Sequence, residues 1–401
     1  IPMKRWMFGA LCALAPAAYA AGPNAVGTID RALWPEATTS PAAFDRASRA
    51  EILAFAQALA ESDNDDDATL KARLGIKDVD RASLDRVRAR LWQTLARNYA
   101  NAAKSCVPDD AFCAPAADAD ALRQLAVGFT APPDAKYRAW YDSAATFHRA
   151  YRDELLRLAA LFGRTNSEID TLNANERRGE EVPDKRFELT FDDGPSRVGG
   201  TSDGVAAMLK DQHLSATFYV LGERLDERVK ANGAPGALYA GQCVGMHGWT
   251  HKSHARWDQW QDSVERVTAL VKATVPDAYV PLFRPPYGQR TTDSGAWFGE
   301  KGLQVALWNI DSQDWSAKID ADQVGGRVLT LMLLWRHGVV LFHDVHAKAA
   351  KAVPWIVAQT KGSGIVFGDC REYVKKYILA FLLVIPAEAG IQLVGFYEDR
   401  T

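Results

Sequence analysis

Apolar residues in the first part of the chain recur at the three- and four-residue steps of an α-helix, which predicts amphipathic helices. Asp134 and Gly163 are a favourable start and stop for one of them. The aromatic members of the apolar faces could form a sugar-binding surface, but their helical spacing favours packing. We therefore predict a mainly helical region over residues 21–163, with no catalytic role. Two of the faces consist of Leu84, Val87, Leu91 and Leu95 behind Ser83, and of Trp140, Ala144, Phe147, Tyr151, Leu155 and Leu158.

From residue 186 onward the pattern changes to short apolar runs separated by helical stretches. Runs of this length are typical of buried strands, and their alternation with helices predicts parallel βα units. We predict an α/β domain over residues 186–376, preceded by a polar linker over 164–185. The strands are predicted at Phe187–Phe191, Ala216–Leu221, Leu303–Ile310 and Gly338–His343.

The amino end has the composition of an export signal. Lys4 and Arg5 precede an apolar stretch, and Ala18-Tyr19-Ala20 is a small-residue cleavage site. We interpret residues 1–20 as a signal peptide with upstream residues, because two residues precede the Met that would be the natural start. Cys12 does not fit a lipoprotein site, since Leu11 stands where a small residue is needed. The sequence therefore predicts export to the periplasm or the extracellular space of a bacterium.

The other end of the chain, residues 377–401, reads as an atypical tail. The apolar run Tyr377–Ile385 is too short to span a bilayer. We therefore expect no transmembrane segment in the mature chain. Whether the tail folds as a final helix is left open.

Four cysteines remain after removal of the signal: Cys106, Cys113, Cys243 and Cys370. An even number in an exported chain predicts disulfides, although four cysteines allow three pairings. Cys106 and Cys113 flank a short loop that could close locally, which would leave Cys243 with Cys370 if both pairs form. A buried free thiol at Cys243 is an equal alternative.

Charge along the chain is nearly balanced. The 47 basic and 50 acidic residues leave a net charge of -3, which argues against nucleic acid and favours a neutral ligand. The acidic run at 63–67 is not a calcium loop, because Ala68 stands where Gly is required and Leu74 where the bidentate Glu should be.

Two polar clusters follow apolar runs and could meet around one cation. Asp192 and Asp193 lead into a Gly-Pro turn, and His247 and His251 stand four residues apart. On a helical turn that spacing points both imidazoles the same way. One carboxylate and two imidazoles leave open positions on zinc, as in a catalytic rather than a structural site. The pattern predicts a metal-assisted hydrolase in which the second acid serves as a base.

Residues 186–373 resemble the polysaccharide deacetylases, also called the NodB-homology or carbohydrate esterase family 4 domain. Five motifs occur in the family's order, which is far more specific than any one of them. The resemblance implies a distorted (β/α) barrel and a glycan substrate. It also implies one divalent metal, zinc first and cobalt or another divalent ion as alternatives. The motifs are Thr190-Phe-Asp-Asp-Gly-Pro-Ser196, His247-Gly-Trp-Thr-His251, Arg284-Pro-Pro-Tyr-Gly288, Asp311-Ser-Gln-Asp-Trp315 and Leu341-Phe-His343.

The resemblance also divides the roles at the metal. Asp193, His247 and His251 would be the ligands. Asp192 would be the general base, and Arg284 would hold it and favour its charged form.

On the opposite side of the reaction, His343 would be the general acid that protonates the departing amine. Asp314 would orient it and raise its pKa. Asp311 is the less favoured partner, because the family places this acid directly before Trp315. Trp315 and Leu341 would line the acetyl pocket.

The backbone N–H of Tyr287 is the expected donor to the oxyanion, because the preceding Pro285 and Pro286 have no N–H to offer. His254, His337 and His346 fall outside the matched positions and receive no role.

The resulting hypothesis is a deacetylase that releases acetate from N-acetylglucosamine-type residues. Peptidoglycan, chitin oligomers and poly-N-acetylglucosamine remain open as substrates, and export favours a cell-envelope glycan. The alternatives are a catalytically inert glycan-binding module and an O-acetyl xylan esterase. Hydrolysis of a small cyclic amide is disfavoured by the export signal. The sequence leaves the oligomeric state open.

Overall fold

The computed structural model describes residues 22–379, apart from Asn24, Ala131 and Pro133. The predicted signal peptide and the tail beyond residue 379 lie outside the described residues. Within the described part, no helix combines the length and the apolar character needed to cross a membrane.

The first part of the chain is helical, as predicted. Helices α1 to α4 each begin at a Ser or Asp whose side chain accepts a hydrogen bond from a backbone N–H of the first turn. For α3 this residue is Asp80, three positions before the predicted Ser83. Asp134 caps a short 3-10 turn that leads into α5. The helices are α1 (Pro41–Ala60), α2 (Asp67–Leu74), α3 (Arg81–Ala103), α4 (Ala119–Val127) and α5 (Arg138–Leu161).

The second part is a parallel sheet with helices between its strands. The strands are β1 (Glu176–Arg177), β2 (Arg186–Asp192), β3 (Ala216–Val220), β4 (Cys243–Met246), β5 (Tyr279–Phe283), β6 (Gln304–Ala306), β7 (Ile310–Asp311), β8 (Gly338–His343) and β9 (Val366–Phe367). The helices are α6 (Thr201–Asp211), α7 (Gly222–Asn232), α8 (Trp260–Thr274), α9 (Ser294–Glu300), α10 (Ala321–Trp335), α11 (Lys348–Thr360) and α12 (Cys370–Tyr373), followed by a π-helical turn, Val374–Leu379.

The strand order shows that the sheet curls back on itself. It runs β1-β6-β5-β4-β3-β2-β8-β7, and β9 pairs with β2. Because β6 pairs with β5 and β7 pairs with β8, the single segment 304–311 joins the two sides of the sheet. The predicted distorted (β/α) barrel is confirmed.

The single strand predicted at Leu303–Ile310 is wrong, because this segment changes neighbours halfway. Between β6 and β7, the Asn309 side chain accepts a hydrogen bond from the Val339 backbone N–H at 2.8 Å and donates to the His337 carbonyl at 3.1 Å. The Asn309 side chain thus adds to the backbone pairing there, where the Asn309 N–H donates to the Val339 carbonyl at 3.4 Å. The sequence also misses β4, which has four residues, and β5, which contains Pro281.

The polar segment 164–185, predicted to be a linker from its composition, is packed into the molecule. It supplies β1, which pairs with β6. Glu176 in β1 is buried against Arg290, whose Nε donates to Glu176 Oε1 at 2.9 Å. The charge of Glu176 is therefore paired inside the protein rather than solvated.

The helical region and the barrel share one continuous hydrophobic core. Helix α1 packs on α10, where Ser48 Oγ donates to the Leu333 carbonyl at 2.7 Å. Both disulfides are present: Cys106 pairs with Cys113, and Cys243 with Cys370. The free-thiol alternative for Cys243 is therefore wrong.

Candidate active site

The polar residues of the motifs gather at the carboxyl ends of the barrel strands. Asp192 and His343 end β2 and β8 and lie side by side in the register of these strands. His247 and Arg284 directly follow β4 and β5. Because the carboxyl ends of parallel strands meet at one rim, these four separate stretches of sequence converge there.

Asp193, His247 and His251 form a group that could hold a metal ion. The Nε2 atoms of both histidines lie 3.4 Å from Asp193 Oδ1. Ligands about 2.1 Å from one ion in a tetrahedron are roughly 3.4 Å apart, so the spacing fits such an ion. Asp193 Oδ1 is buried and has no hydrogen-bond partner among the described residues. The donor set and its spacing therefore fit a divalent cation.

The orientation of His247 is fixed by the backbone behind it. Its Nδ1 lies 2.7 Å from the carbonyl oxygen of Arg284, which can only accept, so Nδ1 carries the proton. Nε2 then presents its lone pair to Asp193, as a metal ligand must.

The predicted helical turn between His247 and His251 is wrong. No helix covers these residues, and Gly248 has a φ of +88°. A Cβ on Gly248 would lie 2.7 Å from the ring of His254, so glycine fits both the space and the backbone. The two imidazoles meet through a loop. Ser263 holds it by accepting from the Trp249 backbone N–H at 2.7 Å.

Electrostatics keep this group ready to bind a cation. Burial lowers the pKa of His251 to about 4, helped by the charge of His247 and opposed by Asp193 and Asp192, so the imidazole is neutral at pH 7. Burial alone would raise the pKa of Asp193. The neighbouring imidazoles of His247, His343 and His251 outweigh burial and hold that pKa well below its usual range.

Asp192 is held on one side only. Arg284 is fully buried, and its Nη1 donates to Asp192 Oδ1 and to Thr190 Oγ1, each at 2.8 Å. Nε and Nη2 of Arg284 donate to the carbonyls of Ala306 and Leu307, respectively. Asp192 Oδ2 lies 3.8 Å from His247 Nε2, beside the metal group. Arg284 therefore leaves Oδ2 of Asp192 on the side of the metal group.

His343 and Asp314 form a buried pair. His343 Nδ1 lies 2.7 Å from Asp314 Oδ1, and the His343 backbone N–H donates to Asp314 Oδ2 at 2.9 Å. Burial alone would lower the pKa of His343, but the Asp314 carboxylate, with Asp193 and Asp192 behind it, raises it to about 10. Asp311 instead accepts from the side chain of Gln313 at 3.0 Å. Asp314 is therefore the carboxylate that contacts His343.

A cavity of about 280 Å³ adjoins these groups. Tyr287 and Trp315 line it with side chains that are 45% and 46% exposed, so they stand at its mouth, and Leu341 is buried in its wall. The Tyr287 ring packs edge-on against His251 at 4.5 Å between centroids. All ten predicted site residues belong to this cavity or contact a residue that lines it.

Several residues of the cavity were not predicted from the sequence. Glu154 from α5 and Glu168 from the segment after it line the same space. Glu154 is paired with Arg327, whose Nη2 donates to its two oxygens at 2.8 and 2.9 Å. No motif or spacing marks these residues, because long-range packing alone brings them to the barrel rim. The helical region therefore does reach the candidate active site.

Comparisons with known proteins identify the family of the chain. Residues 179–306 match the polysaccharide deacetylase family. The chain is 31% identical over 197 residues to the peptidoglycan-N-acetylglucosamine deacetylase of Bacillus cereus, covering 46% of this chain and 68% of that relative. The chain belongs to the polysaccharide deacetylase family, and the resemblance carried by the five motifs is confirmed.

Two further proteins show how far the similarity extends. The peptidoglycan-N-acetylglucosamine deacetylase PgdA of Listeria monocytogenes is 32% identical over 197 residues, covering 47% of this chain but only 39% of that relative. The chain thus spans less than half the length of that relative. Among solved structures, the family 4 carbohydrate esterase from Streptomyces lividans in complex with acetate is 28% identical, with a TM-score of 0.39, covering 46% of this chain and 91% of that one.

Proposed function

We propose that this protein is a metal-dependent deacetylase that hydrolyses the N-acetyl group of N-acetylglucosamine-type residues in a glycan and releases acetate. One observation carries the proposal. Asp193, His247 and His251 form a metal-type group in the same cavity as a carboxylate that could act as a base, Asp192, and an imidazole that could act as an acid, His343.

The three ligands would hold one divalent cation, with zinc favoured because its common ligands include imidazole nitrogen and carboxylate oxygen. When bound, such a cation supplies a Lewis acid that favours deprotonation of water and polarises an acyl oxygen. The neutral imidazole of His251 and the ionised carboxylate of Asp193 are the forms that bind a cation.

Asp192 is proposed to take the proton of the attacking water. Its Oδ1 is occupied by Arg284, which leaves Oδ2 on the side of the metal group. A base must lie within hydrogen-bonding reach of the proton that it removes, and Asp192 lines the cavity where the water would stand. Arg284 would hold this carboxylate in position through the bond to Oδ1.

His343 is proposed to give a proton to the departing amine. Asp314 occupies Nδ1, so Nε2 remains to face the substrate. With a pKa of about 10, the imidazolium is present at neutral pH, as a general acid requires. Tyr287 would donate its backbone N–H to the developing oxyanion, and Trp315 and Leu341 would enclose the acetyl methyl group.

We also propose that the protein works outside the cytoplasm, in the periplasm or beyond. The two disulfides support this, because disulfides persist in oxidising compartments. The names of the relatives support a cell-wall glycan as one candidate substrate.

The proposal is tested by an acetate-release panel. Purified protein is incubated with N-acetylglucosamine oligomers, peptidoglycan, poly-N-acetylglucosamine and acetylxylan, before and after chelation and after zinc is restored. We expect acetate from at least one N-acetylated glycan, loss of activity on chelation and recovery with zinc. Release from acetylxylan alone would favour the O-acetyl esterase. Binding without release from any substrate would favour the inert glycan-binding module.

A further inference from the structure

Part of the wall of the active-site cavity comes from outside the barrel. Helix α5 supplies Glu154 and Leu158, and the segment after it supplies Ser167 and Glu168. These residues line the same space as the metal group and His343. A ligand in the cavity therefore meets the helical region as well as the barrel.

The segment that carries Glu168 is fixed to the loop of the Arg-Pro-Pro-Tyr-Gly motif. Arg290 donates from Nη1 to the Ser167 carbonyl at 2.7 Å, and its backbone N–H donates to Asn166 Oδ1 at 2.9 Å. Gly288 has a φ of +65°, and a Cβ there would lie 2.8 Å from the Glu168 backbone nitrogen. Glu168 is thus held firmly beside Tyr287.

Buried polar atoms of this wall lack hydrogen-bond partners. Trp308 is 7% exposed and Gln313 is 2% exposed, and both line the cavity. Trp308 Nε1 and Gln313 Oε1 make no hydrogen bond among the described residues. Leaving a buried donor or acceptor unsatisfied costs about 1–3 kcal/mol, so two such side chains in the cavity wall favour a polar ligand.

Glu168 adds a third polar group to the wall and is only partly buried. Unlike Glu154, which Arg327 holds through both oxygens, the Glu168 side chain has no hydrogen bond or ion pair to another side chain of the described chain. The wall therefore presents an N–H donor, an amide oxygen acceptor and a carboxyl group. Hydroxyl groups both donate and accept, so a neutral sugar satisfies all three.

We infer that Glu168, Trp308 and Gln313 form a subsite for the hydroxyl groups of a neutral sugar unit, and that Glu168 determines substrate specificity there. The inference rests on the proposed function and names residues that would hold its glycan substrate.

The electrostatics of Glu168 indicate which substitution should preserve the subsite. Burial, together with the charges of Asp311 and Glu154, raises the pKa of Glu168 to about 8, against smaller opposing effects of its own backbone N–H and Arg290. At neutral pH the group is then mostly a carboxylic acid, which donates and accepts as a glutamine amide does. Gln is therefore the conservative replacement and Ala the disruptive one.

The test measures binding without turnover. In an Asp192→Asn background, zinc-loaded protein is titrated calorimetrically at pH 7 with the neutral N-acetylglucosamine tetramer. We expect Glu168→Ala to weaken binding about tenfold, while Glu168→Gln keeps it within about threefold. The control is Glu300→Gln, at an exposed glutamate that ends α9 away from the cavity, which should bind as the background does. Equal binding by the Glu168→Ala and Glu300→Gln variants overturns the inference, as does failure of the background protein to bind the tetramer.

Turnover of the same Glu168 variants with Asp192 intact tests the sugar subsite separately from the proposed deacetylase function. The KM for the tetramer should rise in Glu168→Ala and stay unchanged in Glu300→Gln, the exposed control. If binding depends on Glu168 but no glycan releases acetate, the subsite stands and the proposed function fails. If acetate is released and Glu168→Ala has no effect, the function stands and the subsite fails.

Discussion

Two buried carboxylates, one in each region, show how similar ionic clusters serve different ends. Glu51 in the helical region is fully buried, with its oxygens engaged by Arg31, His148 and Trp140. Asp192 in the barrel is also buried, but Arg284 engages only one of its oxygens. The Glu51 cluster is closed by protein donors, whereas Asp192 leaves an oxygen at a cavity that holds a metal-type group. A buried carboxylate whose oxygens are both bound by protein donors, such as Glu51, stabilises the fold. A buried carboxylate with one oxygen free to face a cavity, such as Asp192, is a candidate catalytic group.

The largest expected effect on turnover is at the metal group. His247→Ala removes one of three ligands and the hydrogen bond to the Arg284 carbonyl. We expect acetate release to fall by about 10³-fold or more, with zinc content falling in parallel. Metal analysis beside an acetate assay checks this. His346→Ala is the matched control, because His346 lies outside the metal group, and a comparable loss of zinc there would refute the ligand assignment.

A smaller effect is expected at the general acid. Asp314→Asn removes the main charge that raises the pKa of His343. We expect acetate release at pH 7 to fall by about 10–100-fold, and the alkaline limb of the pH profile to move to lower pH. The pH dependence of kcat/KM, measured for wild type and Asp314→Asn, tests this prediction. An unchanged alkaline limb would mean that the His343 and Asp314 pair does not control protonation of the leaving group.

The same pair makes a pH-dependent contribution to stability. The folded-state pKa of His343 is about 10, above its ordinary value of 6.5, so the imidazolium stabilises the folded protein. This contribution is complete below about pH 6.5 and is lost as pH rises through about 10. Denaturant unfolding of wild type and Asp314→Asn across this range should show the difference between them shrinking at high pH.

The smallest effect on chemistry is expected at the closed cluster of the helical region. Glu51→Ala leaves Arg31 buried without its carboxylate, which should destabilise the protein by about 3–5 kcal/mol. The kcat/KM per folded molecule should stay unchanged. Glu61→Ala, which breaks an ion pair with Arg149 at the surface, should cost about 1 kcal/mol or less. A Glu51 variant that folds stably yet loses turnover would break the contrast between the two carboxylates.

The sequence predicted most of the residues at the barrel rim, because each of them lies in a short motif at the end of an apolar run. Asp192 and His343 could be placed side by side because each ends a strand and parallel strands end at the same rim. The sequence failed where polar residues are buried by distant partners. The segment 164–185 was predicted to be a linker because it is polar and charged. In the structure, however, Glu176 forms an ion pair with Arg290 inside the protein. Glu168 was missed as well, because long-range packing and not a motif brings it to the barrel rim.

Local geometry was the other source of error. The four-residue spacing of His247 and His251 is that of a helix, but Gly248 takes a left-handed backbone and the rings converge through a loop. Spacing alone cannot separate these two routes, because both bring the imidazoles together. The chemistry predicted for the pair does not depend on which route the backbone takes.

The central claim is that Asp192 acts as a base beside a metal that it does not need to bind. The most direct measurement compares acetate release and zinc content in wild type and Asp192→Asn, using the N-acetylglucosamine tetramer. We predict that the variant keeps one zinc per chain and loses acetate release by about 10²-fold or more. Retained zinc with undiminished acetate release would contradict the account.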